Sequence, residues 1–113
     1  MTDQKKSGNL IDLPFTKDSV LKVLQWGALP QNRPFSHQEI AIWCDKFWRR
    51  FMDVDAPSEI ERLLPILADV DAQWDLYLAN TFSSKELQTM SFDEVCLPVE
   101  WFNEWLSQVQ SCP

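Results

Sequence analysis

The sequence predicts an all-α fold, a single compact bundle of four to five short amphipathic helices. The 113 residues include only two glycines, whereas an all-β domain of this length needs many turns with positive φ, which glycine supplies best. Hydrophobic residues recur every three or four positions, the spacing that places them on one face of a helix. Several segments also begin with the pattern Ser-x-x-Glu, in which the two side chains cap a helix start.

The first helix is predicted to begin at Thr16 and to end at Gly27. A threonine oxygen accepts a hydrogen bond from an early backbone N–H, and glycine favours the left-handed conformation that closes many helices. Residues 1–14 lack hydrophobic periodicity and are predicted to form a flexible tail. We therefore place the folded domain at residues 15–110, with residues 111–113 as a frayed end.

The second helix carries the clearest signals. Ser36 and Glu39 make a capping box after Pro34, and the helix is expected to end near Met52. The hydrophobic positions cover about half of the helix circumference at about 100° per residue, which predicts burial along one side. These positions are Ile40, Trp43, Cys44, Phe47, Trp48 and Phe51.

Pro65 predicts a kink or break in the next helical region. Ser58 and Glu61 form a possible capping box, but a proline inside a helix removes a hydrogen bond and clashes with the preceding turn. A longer helix is expected over residues 66–79, with a stripe of small residues that would let a neighbouring helix approach closely. The stripe consists of Ala68, Ala72 and Ala79.

Two further helices complete the predicted bundle. Ser83 and Glu86 form a capping box for a short helix, and the same spacing at Ser91 and Glu94 predicts a single turn. The last helix is expected to begin at Pro98, because proline is favoured at the first helical position.

No catalytic constellation is recognisable, so the chain is predicted not to be an enzyme. His37, the single histidine, has no nucleophile and carboxylate beside it in a known pattern, and we interpret it as structural or solvated. The three cysteines lack CxxC or CxxH spacing and are odd in number, which indicates free thiols. They are Cys44, Cys96 and Cys112. An enzyme of a class without short motifs is the weakest alternative.

No cofactor or metal ion is expected either. Two glycines cannot build a Gly-rich phosphate loop. Asp69, Asp71 and Asp75 could together attract a hard cation, but the loop and mid-loop glycine of an EF-hand are missing. We interpret these aspartates as an acidic face turned to solvent or to a partner.

The negative charge is concentrated in the second half of the chain. The formal net charge is −7, and residues 56–113 contain ten carboxylates against only Arg62 and Lys85. Such a surface repels nucleic acids and attracts basic proteins, although solubility alone is another explanation. Neither a signal peptide nor a membrane-spanning segment is evident at the N-terminus. The prediction is a cytoplasmic protein that binds neither nucleic acid nor membranes.

Six tryptophans are more than a core of this size readily needs. One interpretation places all six in the core, and the other places some at the edge of an apolar face, where tryptophan beside charge is typical of binding hot spots. Trp101 borders Glu104 on the helical wheel, and Trp48 adjoins Arg49.

These features favour a protein–protein interaction module. The most concrete hypothesis is a small acidic inhibitor or immunity-type protein that binds and blocks a basic protein such as a nuclease toxin. The predicted partner contacts are Asp71, Asp75, Glu100, Trp101, Glu104 and Trp48. The alternative is a structural or adaptor subunit of a larger assembly, whose apolar faces dock against another helix and whose acidity only keeps it soluble.

Overall fold

The computed structural model describes residues 11–112, and all regular secondary structure in this range is helical. The elements are α1 (Lys17–Gly27), α2 (His37–Phe51), α3 (Ser58–Glu61), α4 (Leu64–Thr81), α5 (Ser84–Thr89) and α6 (Val99–Gln110). Because α3 is a single turn and α5 has no buried residue, the core in this part of the chain lies among the four longer helices α1, α2, α4 and α6, with α5 at its edge. The predicted all-α bundle is confirmed.

The core lies between two helix pairs. Helix α2 packs mainly against α4, and α1 packs mainly against α6. The side chains at the centre have no exposed surface; they are Val20, Leu24, Ile40, Phe47, Leu63, Leu67, Val70, Phe102 and Val109. Since α1, α2, α4 and α6 all contribute, the molecule has one continuous core. Among residues 11–112, no helix is both long and apolar enough to cross a bilayer.

The predicted tail and frayed end fall partly outside the described residues, namely at 1–10 and at Pro113. Inside the described range, Ile11 is only 8% exposed and belongs to the core. At the other end, the Cys112 carbonyl accepts a 2.9 Å hydrogen bond from Lys17 Nζ. Contacts of this kind hold both edges of the described range against the bundle.

Three of the predicted helix starts are confirmed in atomic detail. Thr16 Oγ1 accepts a hydrogen bond from the Ser19 backbone N–H at 3.2 Å. Capping boxes form reciprocally at the starts of α2 and α5. At α2, the Ser36 N–H donates to Glu39 Oε1 at 2.9 Å, and the Glu39 N–H donates to Ser36 Oγ at 3.1 Å. These caps fix where the helices begin because they satisfy backbone donors that lack partners inside the helix.

Two other predicted capping boxes are wrong. Ser58 is already the first residue of α3, Pro57 occupies the cap position, and no side chain caps the helix. At Ser91 the predicted single turn forms, with the Val95 N–H donating to the Phe92 carbonyl at 3.1 Å, but no reciprocal box does: the Ser91 hydroxyl accepts a 3.3 Å hydrogen bond from the Asp93 backbone N–H. The Ser-x-x-Glu pattern also fits such turns, because a serine hydroxyl can bond to the backbone two residues further on.

The predicted break near Pro65 is confirmed, and it falls just before the proline. Helix α3 ends at Glu61, α4 begins at Leu64, and Pro65 lies in the first turn of α4. A proline is tolerated there because an N–H in the first turn has no partner inside the helix. The predicted close helix contact at the alanine stripe holds only at Ala68, which lines the seam between α4 and α2 with Trp48, whereas Ala72 and Ala79 are exposed on the outside of α4.

Gly27 ends α1 as predicted, but for a different reason. The next residue, Ala28, closes the helix with an ordinary φ of −79°, so the left-handed conformation is not used. A Cβ atom at position 27 would instead overlap the ring of Phe102 in α6. The glycine is therefore required for the close approach of α1 to α6.

Replacing Gly27 with alanine is expected to lower the free energy of unfolding by about 1–2 kcal/mol. Alanine would gain up to about 1 kcal/mol of helix propensity, but the added methyl group displaces the completely buried Phe102 ring. Urea unfolding measures the effect. The same substitution in a Phe102→Leu background should cost less, because leucine leaves room for the methyl group. Equal costs in both backgrounds would contradict this explanation.

His37 connects three segments at this end of the bundle. Its Nε2 lies 2.9 Å from the Gly27 carbonyl oxygen at the end of α1, and its Nδ1 accepts a 2.8 Å hydrogen bond from the Leu97 backbone N–H before α6. This pattern requires a neutral ring that carries its proton on Nε2. The ring is 1% exposed and lies 4.4 Å from the Phe102 ring, centroid to centroid. The lone histidine is therefore a buried structural residue.

Candidate functional site

Helices α4 and α6 run antiparallel and meet along a line of aromatic side chains. Trp105 Nε1 donates a 2.8 Å hydrogen bond to Asp69 Oδ2. Two turns further along α4, Tyr77 packs edge-on against Trp101, with the ring centroids 6.0 Å apart and the planes at 88°. Asp69 precedes Tyr77 along α4, whereas their partners occur in the opposite order along α6, Trp101 before Trp105. The two helices are therefore antiparallel.

A cavity of about 290 Å³ opens along this line. It is lined by Asp69, Gln73, Trp101, Glu104 and Trp105. Trp105 is 3% exposed, whereas Trp101 is half-buried, so the Trp101 ring forms the accessible aromatic wall. The cavity thus combines two carboxylates with an indole surface.

A larger cavity of about 630 Å³ lies on the other side of the Tyr77–Trp101 ring pair. The residues that line it come from the end of α4 and from the loop between α5 and α6, and they are Tyr77, Phe82, Met90, Ser91, Asp93, Glu94, Val95 and Cys96. Asp93 and Glu94 are exposed and add two further carboxylates. The two cavities share no wall residue and adjoin only through the contact between the Tyr77 and Trp101 rings. We call them together the α4–α6 groove.

The acidic residues of the α4–α6 groove have no cationic neighbours in its walls. Four carboxylates line it, and none of its wall residues is a lysine or arginine. Within residues 11–112, the one salt bridge joins Arg49 to Asp45 on α2, at 2.7 Å. The groove therefore presents uncompensated negative charge next to aromatic surface, a combination that attracts cations.

The six predicted contact residues do not form one site. Trp101 and Glu104 line the α4–α6 groove, and Glu100 is exposed one turn before Glu104 on the same helix. Trp48 and Asp71 line a different cavity of about 200 Å³, together with Asp45, Arg49 and Ala68. Asp75 is exposed on α4. The structure thus places two of the six residues in the α4–α6 groove and two in the seam between α2 and α4, and Glu100 and Asp75 line neither.

The seam between α2 and α4 holds two acidic groups, Asp71 and Cys44, with raised pKa values. Partial burial raises the pKa of Asp71, the nearby Asp45 and Asp75 charges raise it further, and Arg49 lowers it. Burial strongly raises the pKa of the Cys44 thiol, and the Asp71 and Asp45 charges add to this effect. Cys44 is therefore held as an unreactive thiol. In the described range, no group of three His, Cys, Asp or Glu side chains is arranged to hold a metal ion.

The tryptophans divide equally between the core and its edge. Trp43, Trp74 and Trp105 are 3–6% exposed, whereas Trp26, Trp48 and Trp101 are half-buried. The interpretation that placed all six in the core is therefore wrong for three of them. Trp101 is the half-buried tryptophan that lies among unpaired carboxylates.

Sequence reasoning missed several residues of the α4–α6 groove and named Asp69 only as one member of an acidic face. Asp69, Gln73 and Tyr77 are spaced four residues apart, so the sequence already placed them on one face of a helix. These three residues line the groove only because Trp101 and Trp105 pack against their face of α4, and these two tryptophans are distant in sequence. Asp93 and Glu94 lie in a loop, where no periodicity marks them.

Comparison with known proteins finds no matching family model, curated protein or solved structure. The chemistry of the α4–α6 groove is therefore the basis for the functional proposal.

Proposed function

We propose that this chain is a protein–protein interaction module, most concretely a small acidic inhibitor or immunity-type protein that binds and blocks a basic protein such as a nuclease toxin. The observation that carries the proposal is the α4–α6 groove: Asp69 and Glu104 line one cavity with the half-buried Trp101, two further carboxylates line the adjoining cavity, and neither wall contains a lysine or arginine.

The groove supports this function through two separate effects. Its negative charge accelerates encounter with a positively charged surface and disfavours acidic competitors. The Trp101 ring offers a large apolar area that a partner can cover, which is the usual character of an energetic hot spot. A nuclease suits both effects, because its substrate-binding surface must be basic to neutralise phosphates.

The proposal includes the cellular compartment of the protein and its need for cofactors. Free Cys44, Cys96 and Cys112 support a reducing compartment such as the cytoplasm. The function requires neither a cofactor nor a metal ion, since charge and apolar area are sufficient for binding.

The outer face of α4 favours a second candidate, a structural or adaptor subunit. Leu76 is 52% exposed and lies between the exposed Ala72 and Ala79. An uncovered apolar face of this kind could dock against a helix of a larger assembly. In that case the acidity would contribute only to solubility.

Reversing two charges beside the groove should weaken binding to a basic partner. The candidate partners are the proteins encoded by the genes on either side of this one, and binding is measured by calorimetry at several salt concentrations. We expect Glu100→Lys with Glu104→Lys to lower the affinity at least about tenfold at low salt and to reduce the salt dependence. The matched control is Asp53→Lys with Asp55→Lys, an equal charge change at exposed positions between α2 and α3.

The two candidate functions give different results in this experiment. Equal effects of the two double variants would contradict a role for the groove. A salt-insensitive complex that is lost in Leu76→Glu would support the adaptor and contradict the inhibitor. Failure of both flanking proteins to bind would count against the immunity-type function.

A further inference from the structure

We propose that the smaller cavity of the α4–α6 groove binds an arginine side chain, and that the ligand is an extended basic segment of a partner protein. This inference rests on the proposed function and specifies the chemistry of the partner. It depends on three features of the groove: a fixed carboxylate, an accessible indole wall and a second acidic cavity next to the first.

The carboxylate of Asp69 is held in place by two neighbours. Oδ2 accepts a 2.8 Å hydrogen bond from Trp105 Nε1, and Oδ1 accepts a longer one of 3.4 Å from Gln73 Nε2. A carboxylate oxygen has two acceptor sites, so each oxygen retains one for an incoming donor. Because both donors are neutral, the negative charge remains uncompensated. A guanidinium group presents paired N–H donors that match such a carboxylate.

The Trp101 ring provides a flat surface beside this carboxylate. Its plane lies nearly perpendicular to the rings of Tyr77 and Trp105, whose centroids are 6.0 Å and 6.4 Å away. A planar guanidinium stacks on an indole face, whereas the compact and strongly hydrated ammonium of lysine does not. Glu104 completes the wall with a second negative charge. These contacts together should select arginine over lysine.

The dimensions of the groove favour an extended segment. The cavity of about 290 Å³ admits a guanidinium and its methylene stem but not a helix. The cavity of about 630 Å³ beyond Tyr77 brings Asp93 and Glu94 close to the apolar Phe82 and Met90. A peptide that places arginine in the first cavity can therefore set a neighbouring cationic or apolar residue in the second.

The test uses three labelled peptides, hexa-arginine, hexa-lysine and hexa-citrulline, and measures their affinity by fluorescence anisotropy at physiological salt. Citrulline has nearly the shape of arginine but no charge. We expect hexa-arginine to bind at least about threefold more tightly than hexa-lysine, and hexa-citrulline not to bind measurably. Glu104→Gln and Trp101→Leu should each weaken hexa-arginine binding about fivefold. The control Asp53→Gln with Asp55→Gln should change it less than twofold.

Equal affinities for arginine and lysine peptides, with equal losses in groove and control variants, would overturn the arginine site and indicate diffuse attraction. Glu104 is exposed, so its variant should fold normally even if Trp101→Leu is less stable. The two proposals can fail separately. A flanking protein that binds through Glu100 and Glu104 without any peptide preference would leave the proposed function standing and remove the arginine site. Selective hexa-arginine binding, with neither flanking protein bound, would leave the arginine site standing and count against the proposed function.

Discussion

Replacement of His37 with alanine is expected to lower the free energy of unfolding by about 3–5 kcal/mol. The substitution removes the partner of two buried backbone groups, the Gly27 carbonyl and the Leu97 N–H. It also leaves a cavity beside the Phe102 ring, which the imidazole contacts at 4.4 Å between centroids. Chemical denaturation monitored by tryptophan fluorescence measures the change.

Two control variants separate the hydrogen bonds from the packing. His37→Phe retains most of the volume but leaves both backbone groups without a partner, so it should still cost about 2 kcal/mol or more. His37→Gln can restore one of the two hydrogen bonds and should be less harmful than His37→Ala. If all three variants were as stable as the unsubstituted chain, the connection between α1, α2 and the segment before α6 would not depend on His37.

Acidification should destabilise the fold through the same residue. Burial of the ring lowers the pKa of His37 from 6.5 to about 4, the hydrogen bond with Gly27 partly opposes this, and the Arg33 charge lowers it further. Below pH 6.5, His37 binds a proton in the unfolded chain, but in the folded chain it binds one only near pH 4 and below. Protonation therefore favours unfolding, and stability should fall by about 3 kcal/mol from pH 7 to pH 4.

The His37→Gln variant isolates this contribution. Carboxylates titrate in both proteins, so the difference between their stabilities at pH 7, 5.5 and 4.5 reports His37 alone. We expect the variant to be much less stable than the unsubstituted chain at pH 7 and the difference to shrink as the pH falls. A constant difference across this range would contradict the neutral, buried imidazole. Observation of the His37 Hε1 resonance by NMR would give its pKa directly.

Local signals in the sequence were sufficient to predict most helix boundaries. The side chains at Ser36 and Ser83 bond to backbone groups three residues away, so their effect is written into a few neighbouring residues. The same pattern forms no capping box at Ser58 or at Ser91, and the Ser91 hydroxyl accepts a hydrogen bond from Asp93 within a turn instead. Whether the pattern caps a helix or forms a turn depends on whether the residues that follow can pack against the core. A four-residue pattern does not contain that information.

The site was less predictable than the helices. Trp101 and Glu104 were identified from the edge of an apolar face, but Trp48 and Asp71 proved to line a separate cavity. Asp69 was interpreted only as one of several acidic residues, and its bond to Trp105 joins positions 36 residues apart. A helical wheel shows which residues share a face of one helix, but it does not show which face meets another helix.

The sequence by itself determined the helical class, the break before Pro65 and the excess of negative charge in the second half of the chain. These properties follow from local hydrogen bonding, from the 3.6-residue period and from composition. Only the tertiary structure decided that Gly27 makes room for Phe102, that His37 is neutral and buried, and that Asp69 and Glu104 line one cavity with Trp101. The physical reason is that these properties depend on the distance between helices, which is set by the packing of the whole core.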